Sequence, residues 1–276
     1  MAGVRVLAYA KLNLVLRVVG RRRDGYHLVQ TLLCAVDLAD ELLLTDQRGL
    51  ELVVEGEEAG PEEDNLALRA ARLLREHTGG GRGALIRLSK RIPAGAGLGG
   101  GSSDAAAVLA GLNRLWGLGL PLEELGALGA TLGADVPFFL GPSPAWAEGI
   151  GERLRPAQVD LPAAFLIVVP PFRCPTGEVY RAYDRLGVPY SSPAPGWEGE
   201  LENDLWPAAL ALHPQLLALR DRLEELEGPV GMTGSGSALF CAFPSEEEAR
   251  LAARRLHLRG KVFVARPVAR GYKFVA

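Results

Sequence analysis

The chain has 276 residues, 48% apolar and 23% charged, enough apolar content for one large core or two of ordinary size. Its formal net charge of −3 gives no basic footprint, which speaks against nucleic acid as the main partner. Three cysteines, Cys34, Cys174 and Cys241, are far apart and odd in number, which argues against a disulfide framework or a metal cluster and fits a reducing cytoplasm. The opening stretch from Val4 to Leu16 is apolar but broken by Arg5, Lys11 and Asn13. It reads as a strand rather than a signal peptide, and no run in the sequence approaches the length of a membrane span. Residues 4–19 and 28–56 alternate and carry β-branched side chains, which predicts several strands of an antiparallel sheet, with Asp24-Gly25 as the hairpin turn. A helix is expected from Leu66, capped by Asp64, with Leu66, Ala70, Leu73 and Leu74 as its buried stripe and Gly79-Gly-Gly81 as its stop.

Ala84 to Leu88 reads as a strand leading into Pro93-Ala94-Gly95-Ala96-Gly97-Leu98-Gly99-Gly100-Gly101-Ser102-Ser103-Asp104, followed at once by an alanine-rich helix to about Trp116. Glycines let a backbone take positive φ and approach a ligand closely, and the helix start behind them offers free N–H groups and the positive end of a dipole. Such a stretch is a phosphate cradle. Gly95 to Gly100 satisfies G-x-G-x-x-G, but the acidic strand end that a dinucleotide site needs about 20 residues on is missing, that distance reaching Trp116-Gly-Leu-Gly-Leu-Pro121. The loop also lacks the G-K-[ST] ending of a Walker loop.

Pro121 starts a further helix, and Gly133-Ala-Asp135-Val-Pro137 then breaks the pattern. Proline and glycine concentrate around 142–162, which places a domain boundary there, between units of 1–155 and 156–276. Beyond it come a buried strand at Phe165–Val169, a helix from Thr176 to Asp184 and a loop at 191–196. One or two helices over Leu201–Leu226 follow, then a strand pair around Gly234-Ser-Gly236. Ser245 opens a capped helix to Leu258, and Val262–Val264 and Tyr272–Val275 finish as strands. That order suggests an α+β sandwich of ferredoxin-like type.

Three stretches in this order resemble the small-molecule kinases grouped with galactokinase, homoserine kinase, mevalonate kinase and phosphomevalonate kinase, the GHMP family. They are Ala8-Tyr-Ala-Lys11-Leu-Asn13-Leu, the loop from Pro93 to Ser103, and Gly231-Met-Thr-Gly-Ser-Gly-Ser-Ala-Leu-Phe240. The resemblance implies a two-domain α+β fold, a ribosomal-protein-S5-domain-2-like unit followed by the ferredoxin-like one. It also implies ATP as phosphoryl donor. Kinases in general bring Mg²⁺ on the phosphates, and with no dedicated metal cluster in the sequence the ion is expected to arrive with ATP, Ser103 and Asp104 being candidate contacts. Arg23-Asp-Gly-Tyr26-His27 and Gly133-Ala-Asp135-Val-Pro137-Phe are most similar to the branch whose acceptor is a cytidine-diphosphate-linked methylerythritol, in the non-mevalonate route to isoprenoids. A sister activity on homoserine or mevalonate and a non-turning nucleotide-binding protein are the alternatives.

From pattern alone Lys11 is as well placed on an exposed strand edge as in a site, and Asp135 could simply cap a helix. The resemblance implies instead that they form the catalytic pair. Ser102 and Ser103 could be caps; the resemblance puts them, with residues 93–101, around the ATP phosphates, and Asn65 and Leu66 beside adenine. It makes Tyr26 and His27 the cytidine pocket, closed by Thr176 and Tyr180, with Asn13 on the acceptor too because it shares the strand face of Lys11. Neither membrane nor nucleic acid is expected as a partner, and oligomeric state stays open.

Overall fold

Two long strands set the frame of the protein, seen here in a computed structural model that describes residues 3–57, 62–194 and 196–276. β1 (Gly3–Arg21) and β2 (His27–Asp46) form an antiparallel hairpin whose turn contains Gly25 at φ 95°. β3 (Leu50–Gly56), α1 (Leu66–His77) and β4 (Ala84–Lys90) follow, and β3 lies parallel to β4 because α1 crosses between them. The sheet is therefore not wholly antiparallel as the alternation suggested. Next come α2 (Gly100–Leu115), α3 (Leu122–Leu132), α4 (Val136–Leu140), β5 (Ala145–Gly149) and β6 (Arg153–Pro156). The proline- and glycine-rich boundary segment thus holds a hairpin, and β5 pairs with β2.

The remainder runs β7 (Ala164–Val169), α5 (Thr176–Leu186), β8 (Glu202–Asn203), α6 (Trp206–Leu212) and α7 (Gln215–Glu224). It ends β9 (Val230–Met232), β10 (Leu239–Phe243), α8 (Glu246–Arg255), β11 (Lys261–Ala265) and β12 (Tyr272–Val275). The expected loop at 191–196 is irregular, Pro195 lying outside the described residues. The second sheet has the order β11-β7-β10-β9, antiparallel throughout, as a strand–helix–strand–strand–helix–strand sandwich requires.

Tyr272–Val275 is a strand as expected and belongs to the first sheet: it pairs with Arg5–Ala8 on the free flank of β1, and Tyr272 and Phe274 pack on that sheet's core. One expectation is corrected. The cap of α1 is Asn65, not Asp64, because residues 62–64 coil into a 3₁₀ turn and shift the start by one; Asn65 Oδ1 accepts the Ala67 N–H at 2.9 Å. Leu66 and Leu73 are accordingly only half-buried, and Ala67, Leu68, Ala70, Ala71 and Leu74 form the stripe.

α2 is buried on almost every side, and its alanines allow that. Its Gly111 sits where a Cβ would come within 2.3 Å of Leu44, so the helix lies directly on the sheet. One apolar cluster fills the space between first sheet and helices. Another joins Leu12, Leu14, Leu32 and Trp146 of the first sheet to Phe165, Ile167 and Phe240 of the second. Ala10, Leu12 and Leu14 of β1 enter that shared core, which leaves Lys11 and Asn13 on the other strand face, toward the glycine loop.

Candidate active site

A cavity of about 910 Å³ opens between the β1–β2 hairpin, the glycine loop, the start of α4 and the start of α5. That is the size of a site for a small organic ligand pair. Lys11, Asn13, Tyr26, His27, Asn65, Leu66, Asp135, Thr176 and Tyr180 all line it, as do Pro93, Ala94, Gly95, Gly97, Leu98, Gly99, Gly100, Gly101 and Ser102. Ala96 and Ser103 do not. Both are buried behind the loop; the Ala96 carbonyl accepts from Ala238 and the Ser103 amide is taken up by Gly99 O at 2.9 Å.

α2 starts without a side-chain cap. Gly99 occupies the N-cap in the left-handed region, at φ 72°, so neither serine caps the helix. The first amides of α2 have no acceptor within the helix and face the cavity, an anion site by geometry and dipole. Gly97 has a different reason to be glycine: a Cβ there would lie 2.1 Å from Thr233 O in the β9–β10 turn.

Lys11 is 3% exposed, with β2 on one flank of its strand and the glycine loop on the other, which removes the exposed-edge alternative. Its ammonium donates to Asn13 Oδ1, and its backbone N–H donates to Leu98 O at 2.9 Å. Asn13 Oδ1 also accepts from Gly234 N–H at 2.8 Å and from the Thr233 hydroxyl at 3.2 Å, while Nδ2 donates to Thr31 Oγ1 at 2.8 Å. The Thr233 hydroxyl lies 3.0 Å from Gly97 O as well. Strand, loop and hairpin are thus joined through one amide. Burial pushes the Lys11 pKa down, and the Asp135 carboxylate partly opposes that. Asp135 sits at the N-cap position of α4 with α-helical backbone angles and makes no capping bond, so its carboxylate is left to the cavity.

On the far side Tyr26 stands 61% exposed at the turn. The His27 ring stacks on Tyr180, centroids 4.6 Å apart, and meets the edge of Tyr183 at 5.9 Å. His27 Nε2 bonds Asp184 Oδ1 at 2.7 Å, and Arg21 reaches the other oxygen at 3.2 Å. Thr176 Oγ1 and Ser235 Oγ, 3.0 Å apart, link α5 to the β9–β10 turn. The Tyr180 hydroxyl pKa is raised by burial and further by the field of Asp135.

Residues 65–141 match the family "GHMP kinases N terminal domain" and residues 196–262 match "GHMP kinases C terminal". The 4-diphosphocytidyl-2-C-methyl-D-erythritol kinase of Nitrosospira multiformis is 44% identical over 263 residues, covering 94% of this chain and 89% of that protein. That of Thiobacillus denitrificans is 44% identical over 262 residues, covering 94% and 93%. The chain belongs to the 4-diphosphocytidyl-2-C-methyl-D-erythritol kinases. A crystal structure of 4-(cytidine 5'-diphospho)-2C-methyl-D-erythritol kinase superposes with a TM-score of 0.83 at 40% identity, over 95% of this chain and 98% of that one. Homoserine kinase from Cytophaga hutchinsonii, 16% identical, shares the fold with a TM-score of 0.75 over 100% and 98%. The two-sheet α+β architecture is thus that of the GHMP kinases.

Within this kinase family setting, several cavity groups escaped the sequence reading. Asp184 and Arg21 bracket His27, and Lys90 lines the wall beneath the loop beside Asp104, which the sequence offers as a contact for the nucleotide's metal. Asp184 carried no signal, since an acid near the end of an amphipathic helix is ordinary.

Proposed function

We propose that this chain, an ATP-dependent 4-diphosphocytidyl-2-C-methyl-D-erythritol kinase of the methylerythritol phosphate route to isoprenoids, transfers the γ-phosphoryl group directly to the acceptor's 2-hydroxyl, with Asp135 and Lys11 as the catalytic pair. The observation that carries this is the meeting of three things in one cavity: free amides at a glycine-loaded helix start, an uncapped Asp135, and buried Lys11. The transition state of such a transfer is loose, so position and charge matter more than early proton removal. The acceptor oxygen bonds to phosphorus as the bond from phosphorus to the β-bridging oxygen breaks. ADP leaves with that electron pair, and Asp135 takes the hydroxyl proton late. Lys11 keeps Asp135 ionised and offsets negative charge on the phosphoryl oxygens.

Pro93 to Ser102 hold the triphosphate, with Asn65 and Leu66 beside the adenine. Tyr26 stacks on the cytosine, an arrangement that contributes about 1–3 kcal/mol per base. His27, Thr176 and Tyr180 complete that pocket. Asn13 offers the acceptor its remaining amide N–H while holding Lys11 in place. Magnesium fits the cavity as a passenger on the nucleotide. A phosphate-bound ion needs only one or two protein oxygens, and the Ser102 hydroxyl, free of a capping role, is one the loop can offer. When bound, it supplies neutralisation of charge across the β- and γ-phosphates.

The test is ATP consumption by the purified protein over a panel of acceptors: the cytidylylated methylerythritol, the same sugar alcohol without CDP, mevalonate and homoserine. Turnover with the cytidylylated acceptor alone is expected. Turnover with mevalonate or homoserine would keep the kinase and discard the cytidine pocket; tight ATP binding with no turnover on any would discard the catalytic pair.

A further inference from the structure

Beneath the glycine loop lies a second dry cluster of charge that the mechanism above does not use. Lys90, the last residue of β4, is 6% exposed, and its ammonium sits between Asp40 on β2 and Asp104 in the first turns of α2. The contact with Asp104 Oδ2 is 2.8 Å. Asp40 is wholly buried, and its Oδ1 accepts the N–H groups of Arg91 and Ile92 at 2.6 and 2.9 Å. The two ends of the glycine loop are therefore fastened to each other through one lysine, and Asp40 also fixes the first two residues that leave the strand. Burial works against the Lys90 charge, but Asp104 and Asp40 outweigh it and hold its pKa above the ordinary lysine range.

Two further observations point from this cluster to a ligand. A Cβ on Gly100 would lie 3.2 Å from Lys90 Nζ, so the ammonium stands directly under the first residue of α2, and both Lys90 and Asp104 line the cavity. Asp104 Oδ1 and Ser103 Oγ, beside it, are buried without a hydrogen-bond partner, an arrangement that costs free energy unless something else needs it.

We infer that Lys90 is a positioning residue for the ATP phosphates: by bridging Asp40 and Asp104 it fixes both ends of the glycine loop and so holds in place the amides that receive an oligophosphate. The inference rests on the ATP reading of the cavity. It separates from a plain stability role because it concerns the phosphates alone: the adenosine end of the nucleotide and the cytidylylated acceptor bind elsewhere in the cavity.

Titration calorimetry with ATP, ADP and adenosine on the full chain, wild type beside Lys90→Met and Lys90→Arg, reads this out. Lys90→Met is expected to weaken ATP by about tenfold or more and ADP by less, leaving adenosine and the acceptor KM within about twofold, and Lys90→Arg to recover most of the loss. Equal losses for ATP and adenosine, unchanged ATP affinity, or no recovery with arginine would each overturn it. If Lys90→Met does not fold, Asp104→Asn, which loosens one holder of Lys90, carries the same comparison: weaker ATP with unchanged adenosine supports the inference, and unchanged ATP overturns it. Wild-type protein that fails to bind ATP would overturn the ATP reading itself.

Discussion

Each member of the proposed catalytic pair, Asp135 and Lys11, has a separable signature. Asp135→Ala should lower kcat by about 10³-fold or more while the ATP Kd moves by less than about threefold, since the loop that holds the phosphates does not use that carboxylate. Wild-type-like turnover would remove Asp135 from the chemistry. Lys11 is buried and its pKa is lowered, so its charge is lost as pH rises, at a lower pH than an ordinary lysine would need. A profile of kcat/KM, which reports the free enzyme, should therefore fall on an alkaline limb below the ordinary lysine pKa of about 10.4. Lys11→Arg, whose charge persists, should move that limb upward; a limb that stays put would assign it elsewhere. His27→Ala removes the ring that Tyr180 stacks on and the partner of Asp184. The KM for the cytidylylated acceptor should rise about tenfold with that for ATP within about twofold; equal rises would end its role on the cytidine side. At this scale the sequence was readable for residue types and ambiguous for their use. Asp-Val-Pro suits a helix start as well as a site, and that the carboxylate makes no capping bond is visible only in three dimensions.

Elements were readable where pattern is local and misread by a residue where it is not. The cap of α1 illustrates this: Asp64 and Asn65 are both good caps, and the preceding 3₁₀ turn, which no periodicity reveals, selects the second. Asn65→Ala should cost about 1 kcal/mol, a fall in Tm of roughly 2–4 °C for a chain of this size, whereas Asp64→Ala should leave the melting point unchanged within error. The glycine loop was readable as a cradle, but not the reason for each glycine. Gly97 is required by the carbonyl of Thr233 on a distant hairpin and by its own φ of 79°. Gly97→Ala should therefore destabilise by about 2–4 kcal/mol, seen as an early melt, and weaken ATP binding as loop and hairpin are forced apart. A variant that melts like wild type would show that the contact yields easily.

On the scale of the molecule, the two sheets share an apolar cluster, so the halves do not have independent interiors. Far-ultraviolet dichroism, calorimetry and tryptophan fluorescence should report one coincident unfolding transition, and separate midpoints would contradict the shared core. The cysteines belong to the same interior. Burial pushes the Cys34 thiol up to about 12 and those of Cys174 and Cys241 up to about 11, which leaves almost no thiolate at neutral pH. A thiol reagent should label native protein far more slowly than the denatured chain. What could not be read at this scale was partner choice. Tyr272 to Val275 alternates well enough for an edge of either sheet, and nothing local in those four residues names β1 as their neighbour.

That neighbour carries a consequence for biosynthesis. A ribosome makes residues 272–275 only after everything that separates them from residues 5–8, on the order of tens of seconds later. Throughout that interval one flank of β1, the strand that bears Lys11, has its backbone groups unpaired, open to water, to a chaperone or to another nascent chain. The strand that bears Lys11 thus emerges long before the segment that completes its flank.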